Sequence, residues 1–343
     1  MAGGPTPAVW GVVLNWNQSR MTLDCVASLR AQTAPVARLV VVDNGSRADE
    51  RRLLIDGLPA GTELVRLPAN RGFAGGMNAG LRAAARGGAG YIWLMNNDAF
   101  PAADCLAKLA AALTADPALA AVTPKLVGPD GTEQHAGGRY RFDRADCEGA
   151  DAAAVAAPPS APGYWLTGTA PLVRATALAQ VGGFDDRFFA YWEDVDLCLR
   201  LTAAGYRLRA VPEATAVHLT QGSSGGDGAV ASPFAVHLTQ RNRFRMVRKH
   251  APPGDRVRQL AGLGRQGLDA AGCLMARGEA EQATVLAGAV VAGLLSEAGP
   301  PRWFPRRQRL LRFLARRPWR LVQVLGWVER RADARPAGRP GGA

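Results

Sequence analysis

The chain has few residues of the kinds that staple or ligate. Its 343 residues include five cysteines and four histidines. Cys25, Cys105, Cys147, Cys198 and Cys273 are scattered, odd in number and never spaced C-x-x-C. That excludes a disulfide framework and a four-ligand zinc site, and fits a reducing compartment. No leader with a charged start and an apolar core opens the chain, so no signal peptide is expected. Long hydrophobic runs are missing as well. The most apolar stretch, 283–295, falls short of the roughly 20 residues that span a bilayer. The glycine-rich segment at 71–76 is neither a G-x-G-x-x-G turn nor a Gly-Lys-Ser/Thr phosphate loop, which counts against dehydrogenases and P-loop NTPases. Acidic residues are scarce in the tail. Residues 301–343 hold twelve arginines against Glu329 and Asp333, so they carry +10 of the net +12. The body is near neutral, which argues against nucleic acid. The basic tail suits an anionic surface.

What is present is a regular alternation of strand and helix signals over the first 125 residues. Short apolar runs at 9–14, 39–42, 64–67, 91–95 and 119–123 read as buried strands. Between them, Ser19 is placed to cap a helix bearing Leu23, Val26 and Leu29 on one face. A glycine-rich loop at 71–76 opens a helix through Ala85, and Pro101 begins another. This order predicts an α/β fold, a mostly parallel sheet with helices on both faces. Residues 143–163 read as a loop or flap, 222–232 as a Gly/Ser-rich mobile segment, and everything from Pro233 as helical. The hexapeptide Ala-Val-His-Leu-Thr-Gln occurs at 216–221 and again at 235–240. Six residues make no structural repeat, and the match is read as chance.

In open parallel sheets, ligands bind at the carboxyl ends of strands. Three such ends here are polar: Asn15-Trp16-Asn17, Asp43-Asn44-Gly45-Ser46 and Asn96-Asn97-Asp98. Asp43 can accept a hydrogen bond from a pyrimidine imide. Asp98 can hold a divalent cation that bridges a diphosphate. The glycines of 71–76 let backbone N–H groups approach a phosphate, and Arg71 adds charge. An ordinary turn and a helix start would use the same residues. Farther on, the aromatic run 188–192 leads into Glu193, Asp194 and Asp196 at the mouth of a helix ending at Gly205. The helix N-terminus favours those carboxylates, and an apolar wall raises the proton affinity of one of them. A carboxylate so placed can take a proton from a hydroxyl. His218 follows one short connection later.

Taken in order, these segments resemble the family 2 glycosyltransferases over roughly residues 8–250. The similarity is greatest to the rhamnosyltransferase-like members that build bacterial surface polysaccharides. Beside the motifs above, Gly168-Thr169-Ala170 and Gly182-Gly183-Phe184-Asp185 carry it. The resemblance implies a GT-A fold at 8–250, with a nucleotide-binding half at about 8–125 and an acceptor half at about 160–250. A basic helical extension at 251–332 and a disordered tail at 333–343 would follow. It implies transfer of a sugar, rhamnose from dTDP-rhamnose in the favoured case, with inversion, to a hydroxyl of a glycan or lipid-linked acceptor. Asp194 is then the general base. Asn15, Asp43, Arg71, Asn78, Asn97, Trp165 and Gly168 surround the donor. Asp98 and His218 hold Mg2+ or Mn2+, and Glu193, Asp196 and Arg241 support the site. The family's D-x-D motif reads Asn96-Asn97-Asp98 here, so one carboxylate remains. The expected location is the cytoplasm, peripheral on the inner membrane through the amphipathic basic segment 302–331. Two rival readings are a nucleotidyltransferase, which would want a basic glycine-rich loop after the first strand, and a non-catalytic membrane-associated binding protein.

Overall fold

The computed structural model describes residues 7–156, 162–220 and 232–301 and positions 322, 323 and 325. The segment 302–331, on which the membrane expectation rests, lies outside the described residues apart from those three positions. So do the tail 333–343 and most of 222–232. The chain forms two compact units, one of residues up to 140 plus 147–229, the other of 141–146 plus the chain from 230 onward.

In the first unit, β1 (Val9–Asn15), α1 (Ser19–Arg30), β2 (Arg38–Asp43), α2 (Ala48–Gly57), β3 (Glu63–Arg66), α3 (Gly72–Arg86) and β4 (Tyr91–Asn96) alternate regularly. Then come β5 (Ala99–Pro101), α4 (Cys105–Ala115), β6 (Leu119–Val127), β7 (Gly137–Arg141), β8 (Asp146–Ala150) and α5 (Ala152–Ala156). β9 (Tyr164–Leu166), β10 (Leu172–Arg174), α6 (Ala175–Val181), α7 (Glu193–Ala203) and β11 (Arg207–His218) complete it. Eight strands form one sheet in the order β3-β2-β1-β4-β10-β6-β11-β5, and β8-β7-β9 form a small second sheet. β3, β2, β1 and β4 run parallel, as do β6 and β11. β10 lies antiparallel between β4 and β6, and β5 runs antiparallel along β11. The sheet is therefore mixed.

The continuous apolar runs follow from burial on both faces. Trp10, Val12, Val40, Val42, Ile92 and Leu94 pack on one side with Met77 and Leu81 of α3 and Leu197 and Leu201 of α7. The alternate residues Val9, Val13, Val41, Tyr91, Trp93 and Met95 pack on the other with Val26 and Leu29 of α1 and Leu106, Leu109 and Leu113 of α4. Each large side chain so buried stabilises the fold by about 1.5–3 kcal/mol. Strand order reverses between β1 and β4, where Leu14 stands opposite Asn96. The crevice at their carboxyl ends is the place where such sheets bind ligands.

Several local expectations are corrected. Ser19 is not a cap. It is the first residue of α1, and its N–H and hydroxyl go to the Glu50 carboxylate and carbonyl at 2.8 and 2.7 Å. The 71–76 loop is already helical from Gly72. Pro101 ends a strand, and α4 starts four residues later. Residues 143–163 include β8 and α5, which the alanine-rich, acidic composition concealed.

The second unit contains α8 (Pro233–His250), α9 (Arg256–Ala276) and α10 (Ala280–Leu294). Ser232 caps α8 by accepting the Ala235 N–H at 3.2 Å, with Pro233 at the first turn. Arg245 and Arg248 of α8 donate to the carbonyls of Glu297 and Leu294 at 2.7 and 2.9 Å, which places positive charge at the carboxyl end of α10. The units divide near residue 230, whereas the sequence reading put the boundary at 250, because α8 packs along α10 and α9. No helix among the described residues is long and apolar enough to cross a membrane. The two hexapeptide copies differ in structure. The first ends β11 and the second lies in α8.

Candidate active site

Three carboxyl ends of the sheet build the floor. Asn15 is fully buried and ties the β1 and β2 ends together. Its Nδ2 reaches Ser46 Oγ at 3.2 Å, and its Oδ1 accepts the Thr22 hydroxyl at 2.8 Å. Asn97 at the β4 end donates to that hydroxyl and to Gln18 Oε1, at 3.1 and 3.2 Å. Asp43 is also fully buried. Its oxygens accept the Ser46 N–H at 3.0 Å and the Arg51 Nε at 2.9 Å. The second turn is thus closed by its own residues and by Arg51, which also donates to the Ser46 carbonyl at 2.7 Å. Trp16, directly after β1, is half exposed.

The register of β5 on β11 makes the second cluster. His218 pairs with Ala99, and the Leu219 N–H donates to the Asp98 carbonyl at 3.0 Å. Residues 120 positions apart are thereby brought together, with Asp98 Oδ1 3.4 Å from His218 Nε2. Both side chains are nearly buried. His218 Nδ1 meets Gln134 Oε1 at 2.8 Å. A carboxylate oxygen and an imidazole nitrogen that converge in this way are a hard and a borderline donor, a mixture open to divalent cations. Among the described residues no cluster of three or more His, Cys, Asp or Glu side chains accompanies them. Asp98 and His218 thus stand as a pair of donor groups without a third such side chain among the described residues.

The third cluster forms where α3 and α7 begin. Gly72 has φ 73°, and a Cβ there would lie 2.2 Å from the Phe189 carbonyl oxygen. That same carbonyl accepts the Ala74 N–H at 3.1 Å, and Asn70 Oδ1 accepts the Gly72 N–H at 2.7 Å. Two of the amides expected to face a phosphate are thus already bonded, while the Arg71 side chain stays exposed. Asn78 joins α3 to the turn before α7 by accepting the Phe184 N–H at 3.0 Å. Phe189, Tyr191 and Trp192 all have positive φ, a costly backbone for aromatic residues. They deliver Glu193 and Asp194 to the first turn of α7. Asp194 is half-buried. Its Oδ2 accepts the Gly168 N–H at 3.0 Å and its Oδ1 the Val195 N–H at 2.8 Å. A Cβ on Gly168 would come within 3.3 Å of the Asp194 Cβ, so glycine lets the two segments meet.

Burial raises the proton affinity of Asp194 above the ordinary carboxylate range, partly offset by the Gly168 and Val195 donors. Glu193 is raised much further, first by burial and then by the Asp194 charge. Its Oε2 and the indole nitrogen of Trp165 are buried without a hydrogen-bond partner among the described residues, as is Asn96 Oδ1. Asp196 is closed off by Arg200 at 2.9 Å, and that arginine also donates to the Val181 and Gly183 carbonyls. Asp196 therefore braces the Gly182-Gly183 turn. Arg241 belongs to the second unit, where it is buried and donates to Asn242 Oδ1 and the Gly299 carbonyl. Burial pushes the Cys105 and Cys198 thiols up to about 12, so neither is a ready nucleophile. Sequence reasoning missed Gln18, Thr22, Arg51 and Gln134. Only tertiary pairing reveals them, since polar side chains near turns are common.

Residues 12–159 match the family described as Glycosyl transferase family 2, and residues 91–264, half of the chain, match Glycosyl transferase family group 2. The chain belongs to the family 2 glycosyltransferases. N-acetylglucosaminyl-diphospho-decaprenol L-rhamnosyltransferase of Mycobacterium tuberculosis is 48% identical over 80 residues, 23% of this chain and 25% of that protein. Rhamnosyltransferase WbbL of Escherichia coli is 50% identical over 54 residues, 16% and 20% of the two chains. Pre-mycofactocin glycosyltransferase of M. tuberculosis is 31% identical over 181 residues, 53% and 37%. The matched segments thus span a fifth to just over a third of these relatives. Among solved structures, S. aureus TarS 1–349 in complex with UDP-GlcNAc aligns with TM-score 0.54 at 14% identity, over 94% of this chain and 90% of that one. GalNAc-T7 with UDP, GalNAc and Mn2+ gives 0.52 at 15%, over 71% and 48%. These likenesses establish a GT-A-like fold.

Proposed function

We propose that the chain transfers a sugar from a nucleotide-diphospho-sugar to a hydroxyl with inversion at the anomeric carbon, and that Asp194 is the general base. The observation that carries this reading is the half-buried Asp194 carboxylate, fixed by two backbone N–H groups and raised in proton affinity by burial. Aligned donors orient the carboxylate, and burial makes it a stronger base. In the step, the acceptor hydroxyl gives its proton to Asp194 as its oxygen bonds to the anomeric carbon. The bond from that carbon to the diphosphate breaks on the opposite side, and the electron pair leaves with the nucleotide. Burial and the Asp194 charge raise the proton affinity of Glu193 above that of an ordinary carboxylate, which disfavours a second charge beside Asp194. Asp98 and His218 would hold the divalent cation. Bound there, it would neutralise charge on the leaving diphosphate. The exposed Arg71 side chain favours an anionic donor.

Rhamnose from dTDP-rhamnose is the favoured donor, because two of the relatives above are named rhamnosyltransferases. One of these names includes a diphospho-decaprenol, which supports a lipid-linked acceptor for surface-polysaccharide synthesis. The test is Asp194→Asn. Transfer should fall by about 10²- to 10⁴-fold, the usual worth of a positioned base, while donor binding by calorimetry stays within a few fold. Turnover at the wild-type rate removes Asp194 from this role.

A further inference from the structure

The Asp98–His218 pair has a third member that the motif pattern does not contain. We infer that Gln134 is a positioning residue that fixes His218 in the tautomer whose Nε2 lone pair faces Asp98. This inference rests on the cation-holding role proposed above for the pair, and it adds what sets that role.

The argument runs through donors and acceptors. Gln134 lies just before β7, and its backbone N–H donates to the Leu126 carbonyl at 2.9 Å. Glu133 bridges to Val127, which pairs with Val217 of β11. The glutamine is thus anchored to the strand beside the one that ends in His218. Its Nε2 donates to the His218 carbonyl at 3.0 Å. A carbonyl only accepts, so the amide nitrogen must occupy that position and the side chain cannot be flipped. Oε1 then faces His218 Nδ1 at 2.8 Å. An amide oxygen also only accepts, so Nδ1 carries the hydrogen. In the neutral ring Nε2 is left with its lone pair, 3.4 Å from Asp98 Oδ1. Two acceptors held at that distance repel unless a proton on Nε2 or a cation lies between them. One glutamine, through two hydrogen bonds, thereby turns His218 into a ligand and keeps its N–H away from Asp98. Partners of this kind orient metal-binding histidines generally, and losing one typically costs 10- to 100-fold in metal affinity.

The test uses the full chain labelled with 15N. Long-range 1H–15N spectra at pH 8 report which ring nitrogen of each histidine is protonated, and His218→Ala identifies the His218 signals. Wild type should show Nδ1–H alone for His218. Gln134→Leu should lose that single tautomer and weaken Mn2+ binding, read from free Mn2+ by electron paramagnetic resonance, by 10- to 100-fold. Gln134→Glu keeps an acceptor for Nδ1–H and should hold the tautomer, which covers the case of a poorly folded leucine variant. A wild-type His218 protonated on Nε2, or a Gln134→Leu protein with unchanged tautomer and Mn2+ affinity, overturns the inference. If His218→Ala and Asp98→Ala leave Mn2+ binding untouched, the cation role of the pair fails instead, and the tautomer spectra still decide the part played by Gln134.

Discussion

Replacing Gly72 with alanine probes the joint that delivers Asp194. The added Cβ would lie 2.2 Å from the Phe189 carbonyl oxygen and 2.6 Å from its ring Cγ. Carbon contacts are comfortable only at about 3.5–4.0 Å, so the 189 segment has to retreat. Overpacking of this kind costs about 1–3 kcal/mol. The φ of 73° adds about 1–2 kcal/mol for any residue with a Cβ. Together they predict a loss of about 2–5 kcal/mol, a large part of the 5–15 kcal/mol that holds an ordinary protein folded. Gly61 separates the two contributions. Its φ is 84° and nothing lies within 4 Å of its Cβ position, so Gly61→Ala should cost the backbone part alone. Urea unfolding of both variants gives the comparison, with unchanged slope as the sign that the same transition is measured. Equal losses for the two would refute the clash. Gly72→Ala should also reduce kcat, since moving Phe189 disturbs the turn that carries Asp194.

Glu193→Gln should flatten the acid-side pH dependence of stability. Burial holds the Glu193 proton above the ordinary range. In the pH window between its unfolded and folded values the unfolded chain is ionised and the fold is not, so stability falls as pH rises. One such proton contributes a slope of up to about 1.4 kcal/mol per pH unit. Asp194 is raised as well and leaves part of the slope in place. Unfolding curves at several pH values check this, and a variant that keeps the full slope contradicts it. For the basic segment 302–331, co-sedimentation of the chain with anionic vesicles should exceed that with neutral ones and weaken with salt, since each arginine near the surface contributes about 1 kcal/mol. Binding that ignores both lipid charge and salt defeats the expectation.

The parallel core was legible because its strands are buried on both faces, which forces unbroken apolar runs such as 91–95. Its antiparallel members were not. Ala99–Pro101 and Leu172–Arg174 are three residues long, too short for any period, and they exist only because longer neighbours pair with them. The repeated hexapeptide makes the same point, since partners decide whether those residues become strand or helix. At the site, carboxylates announced themselves at strand and helix ends. Which of them face outward was not readable. Asp43 and Asp196 look as available as Asp194 in the sequence, yet Arg51 and Arg200 close them. Neutral polar residues such as Gln134 and Thr22 left no signal, because their meaning lies in which atom they face.

Asp98 and His218 hang on the outermost ladder of the sheet, where β5 meets β11 over Ala99 to Pro101. An edge strand has one neighbour and is the first part of a sheet to fray. The distance between the two side chains is therefore set by that edge pairing. A ligand that bridged the pair would stabilise that pairing by linkage, as a clasp on the border of the sheet. For a cation held there as proposed, affinity at the site and order at the edge would be one quantity seen from two ends, so substitutions that loosen β5 would weaken binding without touching a ligand.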